Sequence, residues 1–375
     1  MFRWPIIVGT VAGISVGVLI LAFTESHRQP KTLPTGPILS ECDGHLRELV
    51  IHYDPSAKEM VATVYRKFLP LLAEDITVHV VCQDRAAFDE LASIVGPVRC
   101  RLAPILVQHP ITTWSRDRWV ALLPATPVGP TTLWSPRGEA AEEIWPARAG
   151  DELVGNDIAA ALAPTVAAQR SELYFDSGDF LADDKTVFAM PRLLRRNIQH
   201  TVHNREEFVA KLTSALKRRV VLLDEAPDHH AGMFITSVGN QTMLVGDPSL
   251  GKSLLPAERM QDDLLPDGAD FRAETQRLFD AVAAECTAAG YKVIRIPVVP
   301  SMDGRTYLTY CNVLIDRQPG RQTVYLPHYR GVEALNDAAR AVWQQLGYNV
   351  QPVDCTAVYR HFGCLHCLVN VLRRS

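Results

Sequence analysis

The sequence lacks several features that would indicate a specialised class of protein. Its 375 residues carry 38 basic and 42 acidic side chains, a formal net charge of −4, so no strongly basic field indicates nucleic-acid binding. Eight cysteines are too few for a disulfide-framework protein of this length, and the 25 prolines form no periodic tract. With 47% apolar and 21% charged residues, the composition excludes a mostly disordered chain and provides ample material for a core.

Charge is also absent from a long stretch near the amino terminus. No charged residue occurs between Arg3 and Glu25, and the run Trp4 to Phe23 consists mostly of Ile, Val, Leu, Ala and Gly. As a helix this run spans about 30 Å, the thickness of a bilayer's hydrocarbon core. We expect residues 1–24 to form an uncleaved single-pass membrane anchor through residues 4–23, with the globular part outside the cytoplasm. Secretion after cleavage of an export signal is the alternative.

The remaining sequence divides into a short linker and a long globular region. Prolines at positions 30, 34 and 37 indicate a linker over residues 25–44, and no later apolar run has membrane-spanning length. Strand-like and helix-like patterns then alternate between residues 49 and 106, which predicts an α/β architecture for residues 45–375.

A supersecondary unit of hairpin, helix and strand recurs in the second half of the chain. Three units begin at Asp179, Gly232 and Tyr310, and the chain ends by starting another hairpin at Leu365. Such an internal repeat, with uneven spacing between its units, favours closure into one domain over an open solenoid. In a closed ring the starts of the hairpins converge, so residues distant in sequence can build one site there.

Polar residues with catalytic chemistry precede these hairpins. The segments are Thr113 to Trp119, Tyr174 to Asp179, Asp228 to Gly232, Thr309 to Asn312 and Phe362 to Cys367. A cysteine beside a histidine with a carboxylate behind it is a nucleophile arrangement, and the thiol must lose its proton to attack. Spare carboxylates suit a cationic substrate, because a buried cation must be paired and hydrogen-bonded. The residues therefore predict a thiol enzyme that acts on a planar cation, with a guanidinium favoured.

Four short blocks in these segments resemble one enzyme superfamily. They are Trp114-Ser115-Arg116-Asp117, Asp176-Ser177-Gly178-Asp179, His230 with Met233-Phe234, and Gly363-Cys364-Leu365-His366-Cys367. In type and order they resemble the W-x-R-D, E/D-G-G-D, H-x-D-M-F and G-G-x-H-C blocks of the guanidino-group-modifying enzymes of the pentein fold. That group includes agmatine deiminases, bacterial peptidylarginine deiminases and dimethylarginine dimethylaminohydrolases. The resemblance covers about residues 45–375, nearly everything after the linker.

The resemblance implies a fold, a reaction and a set of site residues. It implies a propeller of ββαβ units around a pseudo-fivefold axis, and a hydrolase that converts a guanidino compound or arginyl peptide to a ureido product. No cofactor or metal is implied; a homodimer is left open, and an inactive module that binds a cationic ligand is the alternative. The implied catalytic residues are Cys367 as nucleophile, His230 as acid and base, Asp117 as the guanidinium carboxylate and Asp176 as the acid that orients the histidine. The residues implied to contact substrate are Trp114, Arg116 and Asp179.

The sequence departs from the superfamily pattern in three blocks. Gly232 replaces the acid that normally follows the histidine by two residues, although dimethylarginine dimethylaminohydrolases also lack that acid. Asp176 is shorter than the usual glutamate, and Ser177 and Cys364 each replace a glycine. The loss of one guanidinium carboxylate leaves the identity of the substrate open.

Other interpretations of the same residues remain. Cys364 and Cys367 could form a redox pair, and the nearby histidines and cysteines could bind a metal. Asp117 could serve only as an ion-pair partner for its neighbouring arginines, and His229 is the alternative to His230 in the histidine role.

Overall fold

Strands and helices alternate along the part of the chain described by a computed structural model, residues 35–138, 146–255 and 264–375. The strands are β1 Thr35–Ile38, β2 Leu46–His52, β3 Thr77–Cys82, β4 Arg101–Leu106, β5 Val120–Pro124, β6 Thr131–Ser135, β7 Val166–Arg170, β8 Phe180–Ala182, β9 Thr186–Ala189, β10 Arg219–Leu222, β11 Ile235–Ser237, β12 Thr242–Asp247, β13 Lys292–Pro300, β14 Tyr307–Thr309, β15 Leu314–Gln318, β16 Arg321–His328, β17 Asn349–Asp354 and β18 Val369–Arg374. The helices are α1 Lys58–Phe68, α2 Arg85–Val95, α3 Pro146–Ala161, α4 Pro191–Asn197, α5 Arg205–Leu216, α6 Pro248–Leu254, α7 Ala273–Ala288 and α8 Glu333–Gln345.

Local chemistry explains where individual helices begin and end. Asp84 precedes α2, and its side chain accepts a hydrogen bond from the Ala87 backbone amide at 2.8 Å. Gly96 follows the helix with a φ of +73°, a conformation that glycine adopts without steric cost. Asn204 caps α5 in the same way, accepting from the Glu207 amide at 2.8 Å.

The described strands form five sheets, and each sheet combines an antiparallel strand pair with a parallel pair. Their strand orders are β1-β5-β6-β7, β10-β9-β8, β11-β12-β13-β14, β15-β16-β17 and β18-β2-β3-β4. The same ββαβ order recurs as β5-β6-α3-β7, β8-β9-α5-β10, β11-β12-α7-β13, β15-β16-α8-β17 and β18-β2-α1-β3. This arrangement confirms the predicted α/β class. The described residues therefore contain five such units, where the sequence indicated three complete units and part of another.

The partial unit at the carboxyl terminus is completed by the other end of the described chain. Strand β18 pairs antiparallel with β2, which is followed by α1 and the parallel strand β3. Backbone hydrogen bonds between His45 and Ser375, at 2.9 and 3.0 Å, extend this pairing. The hairpin that begins after Leu365 therefore has no local second strand, because its partner lies more than 300 residues earlier in the sequence.

Part of the segment predicted to be a linker forms a strand of the first sheet. Strand β1 pairs antiparallel with β5, and the Leu39 amide donates to the Ala121 carbonyl at 2.8 Å. Pro34–Ser375 form one compact unit. An extended segment that satisfies its backbone groups along the edge of a sheet belongs to the fold rather than to a linker.

The predicted single-pass membrane anchoring is contradicted. Within residues 35–138, 146–255 and 264–375, no helix combines the length and the apolar character needed to cross a membrane. The run Trp4 to Phe23 itself, on which the prediction depended, lies outside the described residues. The membrane anchor and the extracytoplasmic location are therefore both withdrawn.

Candidate active site

The proposed nucleophile lies in a short turn directly before β18. Cys367 is 3% exposed and occupies the 3-10 turn His366–Leu368. The side chain of Asn312, at the start of the preceding unit, donates from Nδ2 to Cys367 Sγ at 3.4 Å. Its Oδ1 accepts from the backbone amides of His366 and Cys367 at 2.8 and 3.3 Å. One amide side chain thus holds the turn and contacts the thiol.

The proposed general acid and base packs against the second block. A Cβ atom on Gly178 would lie 2.6 Å from both Cγ and Nδ1 of His230, so only glycine allows this approach of backbone and imidazole. Among the described residues, His230 Nδ1 has no hydrogen-bond partner. Asp176, predicted to orient this histidine, makes no hydrogen bond to Nδ1, and its negative charge raises the pKa of His230 against the larger effect of burial.

The first block joins both of its neighbours through backbone contacts. The Ser177 amide donates to the Asp117 carbonyl at 2.7 Å, and the Arg116 amide donates to the Cys367 carbonyl at 3.3 Å. The Trp114 ring covers Gly363, where an added Cβ would lie 2.4 Å from Cζ3. The four blocks are therefore brought together in space.

Two polar side chains lie close to Gly232, which stands where the superfamily pattern has an acid. A Cβ atom on Gly232 would lie 3.1 Å from Asn312 Nδ2 and 3.4 Å from His366 Nδ1. A longer side chain would press against the amide that contacts Cys367. Asn312 is thus the polar group nearest to Gly232, the position at which this chain lacks the acid of the superfamily pattern.

Arg116, predicted to contact substrate, is instead engaged in the core. Its side chain is buried and pairs with Glu41, and its Nη1 donates to Asn370 Oδ1 at 3.1 Å. Asn370 lies on β18 and donates from Nδ2 to the carbonyls of Ser115 and Trp119 at 3.2 and 2.9 Å. Arg116 therefore ties the first block to the strand that follows the proposed nucleophile, and its charge is engaged by Glu41 rather than free to contact a substrate.

The site carboxylates are paired with arginines from outside the four blocks. Arg148, on the first turn of α3, donates to Asp117 Oδ2 at 2.5 Å and to Asp176 Oδ1 at 3.3 Å. Arg192 on α4 binds Asp179 Oδ1 through Nε at 2.7 Å. Asp117 thus pairs with an arginine that is distant in sequence, rather than only with its neighbours in the chain. The Arg148 guanidinium also joins two of the predicted catalytic acids.

Burial sets the protonation state of the two reacting groups. Removal from water raises the pKa of Cys367 to about 12, and the Asp117 carboxylate raises it further while the Asn312 donor opposes the shift. Burial lowers the pKa of His230 to about 3, and the nearby Arg192 lowers it too. Burial also raises the pKa of Asp117, against the opposing charge of Arg148. Near neutral pH the unliganded site therefore holds a thiol and a neutral imidazole.

Alkylation of Cys367 by neutral iodoacetamide should be slow and steeply dependent on pH. With a pKa of about 12, its thiolate fraction at pH 8 is roughly 1,000-fold below that of an ordinary cysteine. We expect the rate, measured by peptide mass spectrometry, to rise roughly tenfold per pH unit between about pH 7 and pH 9. A plateau within that range would contradict the raised pKa.

The remaining interpretations find less support. His229 accepts the His230 backbone amide on Nδ1 at 2.7 Å, and its ring packs edge-on against Tyr307, so this nitrogen is engaged in holding the backbone. No group of three or more His, Cys, Asp or Glu side chains is placed to hold a metal within the described ranges. Cys364 and Cys367 are both free thiols, and Cys364 contacts the Tyr329 hydroxyl at 3.2 Å.

No protein-family model and no curated protein matches the chain. Solved structures do match. The agmatine deiminase of C. jejuni is 14% identical, with a TM-score of 0.65 over 90% of this chain and 96% of that chain. A variant of that enzyme with substrate bound is 14% identical, with a TM-score of 0.66 over 90% of this chain and 97% of that chain. The agmatine deiminase of Enterococcus faecalis is 14% identical, with a TM-score of 0.65 over 90% and 96%. The chain therefore has the fold of the agmatine deiminases, which confirms its resemblance to the guanidino-group-modifying enzymes at the level of the fold.

Proposed function

We propose that the protein is a hydrolase of guanidino compounds that forms a covalent adduct on Cys367. The observation that carries the proposal is the meeting of four sequence-distant blocks: Gly178 lies against His230, the Ser177 amide donates to the Asp117 carbonyl, and the Arg116 amide donates to the Cys367 carbonyl. Agmatine deiminases with the same fold act on a guanidino compound, which supports the reaction class. The five ββαβ units would then surround the site about a pseudo-fivefold axis, with residues 35–375 as the catalytic domain.

The proposed first step is pairing of the substrate guanidinium with Asp117. Its Oδ2 binds Arg148, whereas Oδ1 is buried with no hydrogen-bond partner among the described residues, an unpaired acceptor that a bound guanidinium would satisfy. The partly buried Trp114 ring packs against the same cluster of apolar side chains as Cys367 and would form an apolar wall. A cation bound there would favour the thiolate, because opposite charge lowers a thiol pKa.

The covalent step transfers one proton and exchanges one C–N bond for a C–S bond. The thiol proton passes to the neutral imidazole of His230, and the thiolate attacks the central guanidinium carbon. The imidazolium then protonates the departing ammonia or amine, and collapse of the tetrahedral intermediate leaves an amidino group on sulfur. The Asp117 and Asp176 carboxylates would stabilise the cationic intermediates electrostatically.

Hydrolysis completes the proposed cycle. His230 takes a proton from water, which attacks the same carbon, and the C–S bond breaks to release the ureido product. The proton held on His230 returns to sulfur, so Cys367 leaves the cycle as a thiol. The hydroxyl proton of the tetrahedral intermediate is released to solvent, where the departed ammonia or amine takes it up. Asp179 Oδ1 is held by Arg192, so Asp179 would contact the substrate only through its other carboxylate oxygen.

A substrate panel tests this proposal directly. The full-length protein is incubated with arginine, agmatine, methylated arginines and an arginyl peptide, and ureido product and released ammonia or amine are measured. We expect equal amounts of the two products from at least one compound. We also expect acid quenching to trap an adduct that tryptic mass spectrometry assigns to Cys367. Folded protein that yields neither product nor adduct from any member of the panel would refute the hydrolase.

The alternative function is an inactive module that binds a cationic ligand. One observation favours it: Asp117, Asp176 and Asp179 each already have an arginine partner, so less negative charge is left for a substrate. In that case isothermal titration detects binding of a guanidino compound while the panel gives no ureido product.

A further inference from the structure

The arginine that bridges the two proposed catalytic acids is the same chemical group as the proposed substrate. Arg148 Nη1 lies 2.5 Å from Asp117 Oδ2, and its Nη2 lies 3.3 Å from Asp176 Oδ1. The Arg148 side chain is 13% exposed, so its charge is largely removed from water. A substrate guanidinium on Asp117 Oδ1 would share this carboxylate with Arg148.

Arg148 is held in this position by its helix. Two residues further along α3, Gly150 packs so closely on the preceding loop that an added Cβ would lie 1.7 Å from the Pro110 carbonyl oxygen. The fully buried Asp151 accepts hydrogen bonds from the Thr112 amide at 2.8 Å and the Thr112 hydroxyl at 2.5 Å. The guanidinium is thus anchored beside the first block, and it remains next to any cation that binds Asp117.

A substrate guanidinium on Asp117 leaves an excess positive charge, because the second acid of the bridge, Asp176, also pairs with Arg118 at 3.5 Å and with Arg196 at 3.1 Å. A buried charge without a partner is strongly destabilising, and like charges at close range repel each other. A substrate with its own carboxylate removes this excess, because that carboxylate can pair with Arg148 while the substrate guanidinium pairs with Asp117. A substrate that ends in an amine adds a second positive charge and makes the excess larger.

We propose that Arg148 is a specificity-determining residue that selects guanidino acids, in which a guanidinium and a carboxylate share one small molecule, over guanidino amines. The proposal rests on the proposed function only in assigning Asp117 as the guanidinium carboxylate. An arginine suits this role because its guanidinium has five N–H donors, so Arg148 can donate to a substrate carboxylate while it still contacts Asp117 and Asp176.

A matched ligand pair tests the selection. 4-Guanidinobutyrate and agmatine have four-carbon chains that differ at the end group, a carboxylate in one and an amine in the other. We expect isothermal titration to show that the protein binds the acid at least about tenfold more tightly than agmatine. In Arg148→Gln we expect this preference to reverse, with agmatine binding at least about tenfold more tightly than to the native protein.

Two further variants separate a loss of charge from a loss of structure. Arg148→Lys keeps the cation and should keep the preference for the acid, even where Arg148→Gln is too unstable to titrate. Arg85→Gln removes an exposed arginine that pairs with Asp89 on α2, and it should leave the ratio of the two affinities unchanged. Equal binding of both ligands to the native protein, or an unchanged ratio in Arg148→Gln, overturns the selection.

Binding and turnover distinguish failure of this inference from failure of the hydrolase. Preferential binding of 4-guanidinobutyrate without any ureido product keeps Arg148 as the selecting residue and refutes the hydrolase. Turnover of agmatine at least as efficient as that of the acid, with a ratio that Arg148→Gln does not change, keeps the hydrolase and refutes the selection. Absence of binding of either ligand to every variant overturns the selection, and the absence of product and adduct across the whole panel overturns the hydrolase as well.

Discussion

Replacement of Cys367 by alanine is expected to abolish formation of ureido product, with turnover reduced by about 10,000-fold or more. The physical reason is that the sulfur of Cys367 makes the proposed covalent bond to the guanidinium carbon, and alanine has no nucleophile in its place. The binding of a guanidino ligand should change by less than about threefold, because the contacts assigned to binding are made by Asp117 and not by sulfur. Steady-state release of product and isothermal titration measure the two effects on the same preparation.

Cys100→Ala is the matched control for that variant. Cys100 is also a buried free thiol, but it packs in the apolar core and contacts the Leu69 carbonyl at 3.6 Å. Its replacement should leave turnover within about twofold of the native value, with only a modest loss of stability. Substantial turnover in Cys367→Ala, or an equal loss in Cys100→Ala, is incompatible with a nucleophilic Cys367.

Gly178→Ala is expected to damage both the active site and the fold. The new methyl group would lie 2.6 Å from two atoms of the His230 ring, well inside van der Waals contact, so either the imidazole or the second block must shift. A shift of that size is expected to lower kcat by about 100-fold. It should also reduce the free energy of unfolding by roughly 1–3 kcal/mol. Product release and urea denaturation monitor the two changes.

Gly129→Ala tests whether these losses come from the contact with His230. An added Cβ at Gly129 would lie 3.3 Å or more from its nearest neighbours, close to ordinary contact, and the residue lies in the turn between β5 and β6. We expect activity close to native and a stability change within about 0.5 kcal/mol. If Gly178→Ala retained native kcat and native stability, the close packing of His230 on the second block would have no functional role.

Periodicity and turn residues were sufficient to predict most of the elements that follow a local pattern. The hairpins before α5, α7 and α8 lie where the sequence predicts them, because their strands are adjacent in the chain. The unit that joins β18 to β2 could not be predicted in this way. Pairing between strands at opposite ends of a chain depends on long-range closure, which leaves no local signal.

In the candidate site, too, some residues could be predicted from local sequence and others could not. The blocks around Asp117, Asp176, His230 and Cys367 are recognisable because they fall at the starts of repeated units. Arg148 belongs to no block, and the partner of Arg116 is Glu41, which lies in the segment predicted to be a linker. Ion pairs between sequence-distant charges carry no spacing pattern, so neither contact could be predicted from the chain.

The sequence by itself determined the α/β class and the recurring unit, and it indicated the proposed reactive groups, since these follow from local hydrophobic patterns and residue chemistry. Only the tertiary structure decided which charges meet. It paired Asp117 with Arg148, placed Arg116 in the core beside Asn370, and set the amide of Asn312 on the thiol of Cys367. Burial and proximity are properties of the folded chain, and they control both the protonation of the reactive groups and the charge that a ligand must bring.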